Sequence, residues 1–208
     1  MRNHKPVIYV VDDEASICRA VALLLKSHGY KVEIFSSAES FLAFKHLKLP
    51  SCVVLDIRLT NMSGLALQDA MAVRKLDIPI IFITGHGDIP MSVKAMKAGA
   101  IDFLPKPFTA KKLLNAITFA LTKNVIQIKE LAEISKINRL IKTLTPRELE
   151  VFRFVARGLM NKEIAQKRGT SLQTIKVHRG RVMRKMQAKT VTELILLAKK
   201  ADINPSKN

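Results

Sequence analysis

Cysteine is scarce in this chain of 208 residues: there are two, Cys18 and Cys52, both in apolar contexts and neither at metal-ligand spacing. That excludes a disulfide framework and a thiolate metal site. The pair reads as buried reduced thiols in a cytoplasmic protein. Long apolar runs are missing as well. No stretch approaches the roughly 18 residues that cross a bilayer, so no membrane span is expected. The N-terminal "MRNHKPVIYVVDDE" passes from polar residues straight into an apolar run, without an h-region and cleavage site, and no signal peptide is expected.

Acidic residues are also few, 17 against 35 Lys+Arg, for a net charge of +18. The shortage is local. Residues 1–122 carry 15 basic and 10 acidic side chains, a net of +5, whereas residues 123–208 carry 20 and 7, a net of +13. A tail region so depleted in acid favours a polyanionic partner, nucleic acid ahead of membrane. With 48% hydrophobic residues, the chain can still bury one large core or two ordinary ones.

Up to residue 120, short apolar runs alternate with longer segments of helical period. Strands are expected at 7–11 ("VIYVV"), 31–35 ("KVEIF"), 52–56 ("CVVLD"), 78–84 ("IPIIFIT") and 100–104 ("AIDFL"). Several are apolar without alternation, as strands covered on both faces are. Helices are expected over Ala15–Ser27, Ala38–His46, Gly64–Lys75, Ile89–Lys97 and Ala110–Ala120, with Gly29 and Gly99 at C-terminal caps. Right-handed β/α units of this kind give an α/β fold, a doubly wound five-stranded parallel sheet, over residues 5–120.

Glycine and proline are absent from residues 121–142, "LTKNVIQIKELAEISKINRLIK". Val125, Ile128, Leu131, Ile134, Ile137 and Ile141 recur every three or four positions, which predicts a helical linker. The mostly three-residue spacing drifts around the helix and does not keep a heptad seam, so docking onto its own domain competes with self-pairing. From residue 143 to 208 the pattern is all helix. Thr145, Pro146 and Glu148 form a capping box with a proline start. Gly158 ends that helix, Asn161 caps the next, Gly169 breaks it, and Ser171 caps a helix from Leu172 to about Met186. A fourth helix follows in "VTELILLAKK". Four helices with a tight glycine turn between the middle pair predict a helix-turn-helix domain.

The polar residues of the first domain gather at one end of their strands. Asp12 and Asp13 follow the first strand, Asp56 ends the third, Thr84 ends the fourth and Lys106 follows the fifth. Ligands of open parallel sheets bind beyond the carboxyl ends of the strands, and in the flavodoxin-like order 2-1-3-4-5 the first and third are neighbours. Three carboxylates brought together repel unless a cation joins them. A hard, oxygen-liganded Mg²⁺ answers that need.

The motifs "VVDDE", "VVLDIRL…MSG", "FITGHGDIPMSVKAMKAGAIDFLPKPF" and "LTPRELEVFRFVARGLMNKEIA…SLQTIKVHRGRVMRKM" resemble those of two-component response regulators, in the FixJ-like branch of the NarL/LuxR class. The resemblance implies that Asp56 is the phospho-acceptor, attacking a phosphohistidine on a sensor histidine kinase. It implies Mg²⁺ bound by Asp13, Asp56 and the backbone carbonyl of Arg58, with Asp12 acting through water and Lys106 pairing with a phosphate oxygen. Thr84 and Phe103 match the switch residues, and Lys106–Pro107 matches a bond usually cis in the family. Phosphorylation would favour a homodimer through the fourth helix and fifth strand. The chain departs from the family where relatives usually read Met-Pro-Gly and it reads Leu59-Thr60-Asn61.

In the basic domain, Leu172, Ile175, Val182 and Met186 are expected to face inward, opposite Gln173, Lys176, Val177, Gly180 and Arg184. Between Leu172 and Met186 stand five Lys or Arg, one His and no acid. The resemblance places the helix-turn-helix at about 161–180. Lys162, Gln173, Thr174, Lys176, Val177, His178, Arg181 and Arg184 are the expected contacts to double-stranded DNA. Gly180 stands where relatives carry a larger residue. Arg168 and Thr170 replace apolar residues of the turn, with Arg168 expected to snorkel.

The leading expectation is a phosphorylation-gated transcription regulator. A constitutive DNA binder whose receiver serves only for dimerisation is the alternative. The full Asp12, Asp13, Asp56, Thr84 and Lys106 set weighs against it. An enzyme that turns over aspartyl phosphate is disfavoured because Arg58 occupies the position two after the acceptor, where such phosphatases place a proton-donating acid. Only self-phosphorylation and dephosphorylation chemistry is expected.

Overall fold

The computed structural model of the protein describes residues 5–85 and 89–203. The His86-Gly87-Asp88 part of the motif and the last five residues of the expected C-terminal domain lie outside them. Two compact units divide the chain, Met1–Ile128 and Lys129–Asn208.

In the first unit, strands β1 (Val7–Val11), β2 (Lys31–Phe35), β3 (Ser51–Asp56), β4 (Ile80–Thr84) and β5 (Asp102–Pro105) form one parallel sheet in the order β2-β1-β3-β4-β5. Helices α1 (Ala15–Ser27), α2 (Ala38–Ala43), α3 (Gly64–Val73), α4 (Ile89–Lys97) and the start of α5 (Ala110–Ile141) alternate with the strands. The expected α/β fold with flavodoxin-like strand order is present. Side chains alternate across β1. Val7, Tyr9 and Val11 enter a core with Phe41, Leu67 and Phe82, while Ile8 and Val10 enter one with Leu25, Leu113 and Ile117. Every residue of β1 is buried, so its continuous apolar run is what a sheet covered on both faces requires. Cys18 and Cys52 are buried and free. Among the described residues no helix is long and apolar enough to cross a membrane.

Several boundaries differ from the sequence expectation for identifiable reasons. Helix α2 stops at Ala43 instead of reaching His46 because Phe44 turns to an extended conformation. There it packs its ring 5.3 Å from Phe35 and 6.2 Å from Tyr9. Strand β4 begins at Ile80, since Pro79 cannot donate to a ladder. Helix α3 ends at Val73, two residues early, with Lys75 at φ 56°. The expected helix over Ala110–Ala120 and the expected linker are one uninterrupted helix, α5, of 32 residues. Nothing in its sequence breaks it, because Gly and Pro are absent from the whole span. The division between the two units falls inside it.

The second unit packs the end of α5 with α6 (Pro146–Ala156), α7 (Asn161–Arg168), α8 (Leu172–Lys185) and α9 (Val191–Lys200). Ile137 on α5 is buried with Phe152, Ile164, Ile175, Val182 and Leu194, and Leu140 and Ile141 pack against them. The linker's C-terminal part thus docks on its own domain. Thr145 caps α6 in a capping box with Glu148. Asn161 does not cap α7; it is the first helical residue, and Met160 precedes it as N-cap, its N–H donating to Glu163 at 2.6 Å. The Asn161 side chain is used elsewhere, accepting from Arg179 on α8 at 2.7 Å. Gly169 turns the chain between α7 and α8 with φ 60°, a conformation that costs a residue with a Cβ but not glycine.

Glu148 is 3% exposed and accepts from Lys185 on α8 at 2.6 Å and from the Thr145 N–H at 2.8 Å. The Lys185 ammonium first, then the Thr145 N–H, lowers its carboxyl from 4.5 to about 2. A depressed folded value stabilises the unit above pH 4.5, and the gain disappears as pH falls through about 2. The covering layer is thin and Lys185 is partly solvated, so the gain is discounted to about 2 kcal/mol. Glu148→Gln is expected to lower stability at neutral pH by that amount. Urea unfolding should find the difference from the unsubstituted chain shrinking below pH 4.5 and gone near pH 2.

Candidate functional sites

The sheet register delivers the first site. Val11 pairs with Leu55, so Asp12 emerges beside Asp56, and Thr84 pairs with Pro105, so Lys106 emerges beside β4. Carboxylate oxygens of Asp12, Asp13 and Asp56 lie within 4.8 Å of one another. Lys106 Nζ reaches Asp12 Oδ2 at 2.9 Å and Asp56 Oδ2 at 2.8 Å. The other oxygens are held from the backbone, Asp12 Oδ1 by Glu14 N–H at 2.8 Å and Asp56 Oδ1 by Arg58 N–H at 3.1 Å. Asp13 is exposed and accepts from the Thr60 hydroxyl. Thr84 is fully buried, and its carbonyl accepts from Lys106 N–H at 2.7 Å. The Lys106–Pro107 bond is cis. Phe103 is half-buried against the core on the α3–α4 side of the sheet.

Three carboxylates face one ammonium, and the consequences are electrostatic. Burial raises the Asp12 carboxyl, and hydrogen bonds from Lys106 and Glu14 offset only part of this. Burial alone would lower Lys106, but its hydrogen bonds to Asp56 and Asp12 more than reverse that and hold the ammonium charged. The site remains short of positive charge, and its donors are all hard carboxylate oxygens at close range. That set fits a divalent cation of the Mg²⁺ type.

Gly64 fixes the loop after β3. A Cβ there would lie 2.3 Å from the Asp56 backbone oxygen, and the Gly64 N–H donates to Ile57 O at 2.8 Å. Side chains that no motif marked tie the neighbouring elements. Buried Gln68, one turn along α3, donates to Ala95 O at 3.3 Å and Ala98 O at 3.2 Å at the end of α4. Buried Asn124 on α5 accepts from Ser51 N–H at 3.0 Å, at the start of β3. The only available signal was a polar residue standing on an otherwise apolar helical stripe.

The second site is the outer face of α8. Gln173, Lys176, Val177, Gly180, Arg181 and Arg184 are exposed there, as is Lys162 on α7. Ile175, Val182 and Met186 face inward as expected, but Leu172 is 44% exposed. It is the first helical residue, and the Cα–Cβ bond tilts toward the N-terminus, which carries its side chain past the packed core. Thr174 is exposed, with its hydroxyl 2.9 Å from that of Ser171 within the cap. His178 is half-buried in a groove it lines with Arg147, Glu150 and Thr174, and its Nδ1 is enclosed without a hydrogen-bond partner among the described residues. Arg168 pairs with Glu150 on α6 at 2.8 Å, which is how the turn accommodates it. Arg179, absent from the expected contacts, points back to Asn161 and locks α7 to α8.

The family described as response regulator receiver domain matches residues 8–118, and that described as bacterial regulatory proteins, luxR family, matches residues 142–198. Nodulation protein W of Bradyrhizobium diazoefficiens is 42% identical over 200 residues, covering 96% of this chain and 88% of that protein. Transcriptional regulatory protein FixJ of Rhizobium meliloti is 39% identical over 199 residues, covering 96% and 98%. Among solved structures, the response regulator StyR superposes with a TM-score of 0.81 at 43% identity, covering 95% of this chain and all of that one. Full-length FixJ from B. japonicum gives 0.58 at 39% identity, covering 95% and 98%. With an acidic rim on its sheet, a basic helix-turn-helix and relatives along nearly its whole length, the chain belongs to the FixJ-like response regulators, which join a receiver domain to a LuxR-type DNA-binding domain.

Proposed function

We propose that the protein is a transcription regulator whose DNA binding is gated by phosphorylation of Asp56 by a sensor histidine kinase. The observation that carries this reading is the Lys106 ammonium bridging Asp56 and Asp12, with Asp13 in reach, at one rim of the sheet. The Asp56 carboxylate attacks phosphorus, the bond to the kinase's histidine breaks, and the histidine nitrogen leaves with the electron pair. Asp13, Asp56 and the Arg58 carbonyl would hold Mg²⁺, with Asp12 acting through water, and the bound ion would supply charge neutralisation for the transferring group. Lys106 exchanges its contact with Asp56 for one with a phosphate oxygen. The Thr84 hydroxyl turns to the phosphate, and Phe103 moves inward behind it. Arg58 cannot act as a general acid, so the chain transfers to itself and is no multiple-turnover phosphatase.

The α4 surface supports a dimer through α4 and β5. Ile89, Val93 and Met96 follow one another at helical spacing and are 79%, 44% and 45% exposed. Phosphorylation shifts an equilibrium toward the form that pairs this face, so two copies of α8 meet a repeated half-site in double-stranded DNA. Lys176 and Val177 face bases and Gly180 leaves the third base-facing position without a side chain, while Lys162, Gln173, Thr174, His178, Arg181 and Arg184 lie beside them toward the backbone. Acetyl phosphate with Mg²⁺ is expected to raise both dimer content, by sedimentation, and affinity for the operator. A protein that dimerises and binds DNA equally well without phosphodonor would instead be a constitutive binder, and the gating would be refuted.

A further inference from the structure

Each carboxylate of the acidic rim is held by a donor, but the donors differ in kind. Asp12 and Asp56 are buried and fixed by Lys106 together with a backbone N–H each. Asp13 is exposed, and among the described residues the Thr60 hydroxyl is its one hydrogen-bond donor. Thr60 is well placed to hold it. Its loop is pinned at both ends, by Ile57 N–H to Ile83 O at 3.1 Å and Gly64 N–H to Ile57 O at 2.8 Å, and Ser63 caps α3. The bond thus ties the end of β1 to the loop after β3, across 47 residues of sequence.

We propose that Thr60 is a positioning residue for the divalent cation, its hydroxyl orienting the Asp13 carboxylate toward Asp12 and Asp56. The inference rests on the reading of Asp56 as phospho-acceptor. A hydroxyl on the carboxylate has two opposing effects, since it competes with the cation and it also fixes the ligand. The second outweighs the first. An ionised carboxylate has about four lone-pair positions, and one hydroxyl leaves the rest free. Exposed Asp13 would otherwise sample rotamers that point away from the cluster. Loss of such an outer partner typically weakens metal binding about 10-fold to 100-fold, and an exposed one belongs at the lower end.

Mn²⁺ titrated into the full chain without phosphodonor, with the free ion followed by its paramagnetic resonance signal, tests this independently of phosphorylation. Thr60→Val keeps the side-chain shape and removes the hydroxyl; it is expected to raise the Mn²⁺ Kd about 10-fold. Thr60→Ser restores the hydroxyl and is expected to stay within about twofold of the unsubstituted chain. Thr60→Val binding as tightly as the unsubstituted chain, or more tightly, overturns the proposal, as does Thr60→Ser binding as weakly as Thr60→Val. An unsubstituted chain that takes up no Mn²⁺ sinks the acceptor-site reading itself, and the role of Thr60 with it.

Discussion

Asp56→Asn is expected to reduce phosphoryl incorporation from acetyl phosphate about 10³-fold or more, and to leave dimer content and DNA affinity indifferent to the phosphodonor. The amide is nearly the shape of the carboxylate but carries no charge and offers no competent nucleophile. Neighbouring acids do not replace it. Asp12 is buried at 1% exposure with both oxygens engaged, by Glu14 and Lys106, and burial raises its carboxyl further. Asp13 is accessible, but the Lys106 ammonium that would meet the phosphoryl oxygens bridges Asp12 and Asp56 instead. The substitution preserves the loop, because the remaining amide oxygen still accepts from Arg58 N–H. Autoradiography of the labelled chain reads the first effect. Sedimentation and operator titration, each with and without acetyl phosphate, read the second.

Raising salt from about 50 to 200 mM is expected to weaken operator binding on the order of 10³-fold, the loss appropriate to about six neutralised phosphates. The basic residues of α7 and α8 supply those ion pairs. Lys162, Arg181 and Arg184 are all exposed, and no acid lies on α8 to offset them. Two copies on a repeated site bring these three to about six. Replacing Arg181 by alanine frees one DNA phosphate per copy and should flatten the slope by about one unit of log K per log salt for each phosphate freed. Lys185 is expected to contribute nothing to the slope despite its position on α8, because its ammonium is spent on Glu148 at 2.6 Å. Fluorescence anisotropy across a salt series separates these cases, and a flat response would remove the basic helices from the DNA interface.

Much of the fold was legible because the rules that fix it are local and periodic. The β1 run and the helical segments after it imply a parallel sheet. Such a sheet delivers the residues beyond its strand ends to one rim, where Asp12, Asp13, Asp56 and Lys106 do gather. The Thr145, Ser171 and Gly169 boundaries are set by capping chemistry within a few residues of each. The features that escaped depend on partners distant in sequence. Asn161 resembles an N-cap until Arg179 is seen to claim its side chain. Leu172 fits the inward stripe by spacing, but a helical wheel does not know where the core ends. Gln68 and Asn124 are unremarkable polar residues on apolar helices until α4 and β3 are placed against them. Thr60 registered only as a missing proline, and its bond to Asp13 needed the register of β1 against β3.

Phosphorylation of Asp56 is tested most directly by mapping the phosphoryl group itself. The full chain is incubated with labelled acetyl phosphate and Mg²⁺, digested, and the labelled peptide identified, with a parallel sample in chelator. A single acyl phosphate on the peptide carrying Asp56, and none in chelator, is the predicted result. Label on another residue, or equal labelling without the cation, would contradict it.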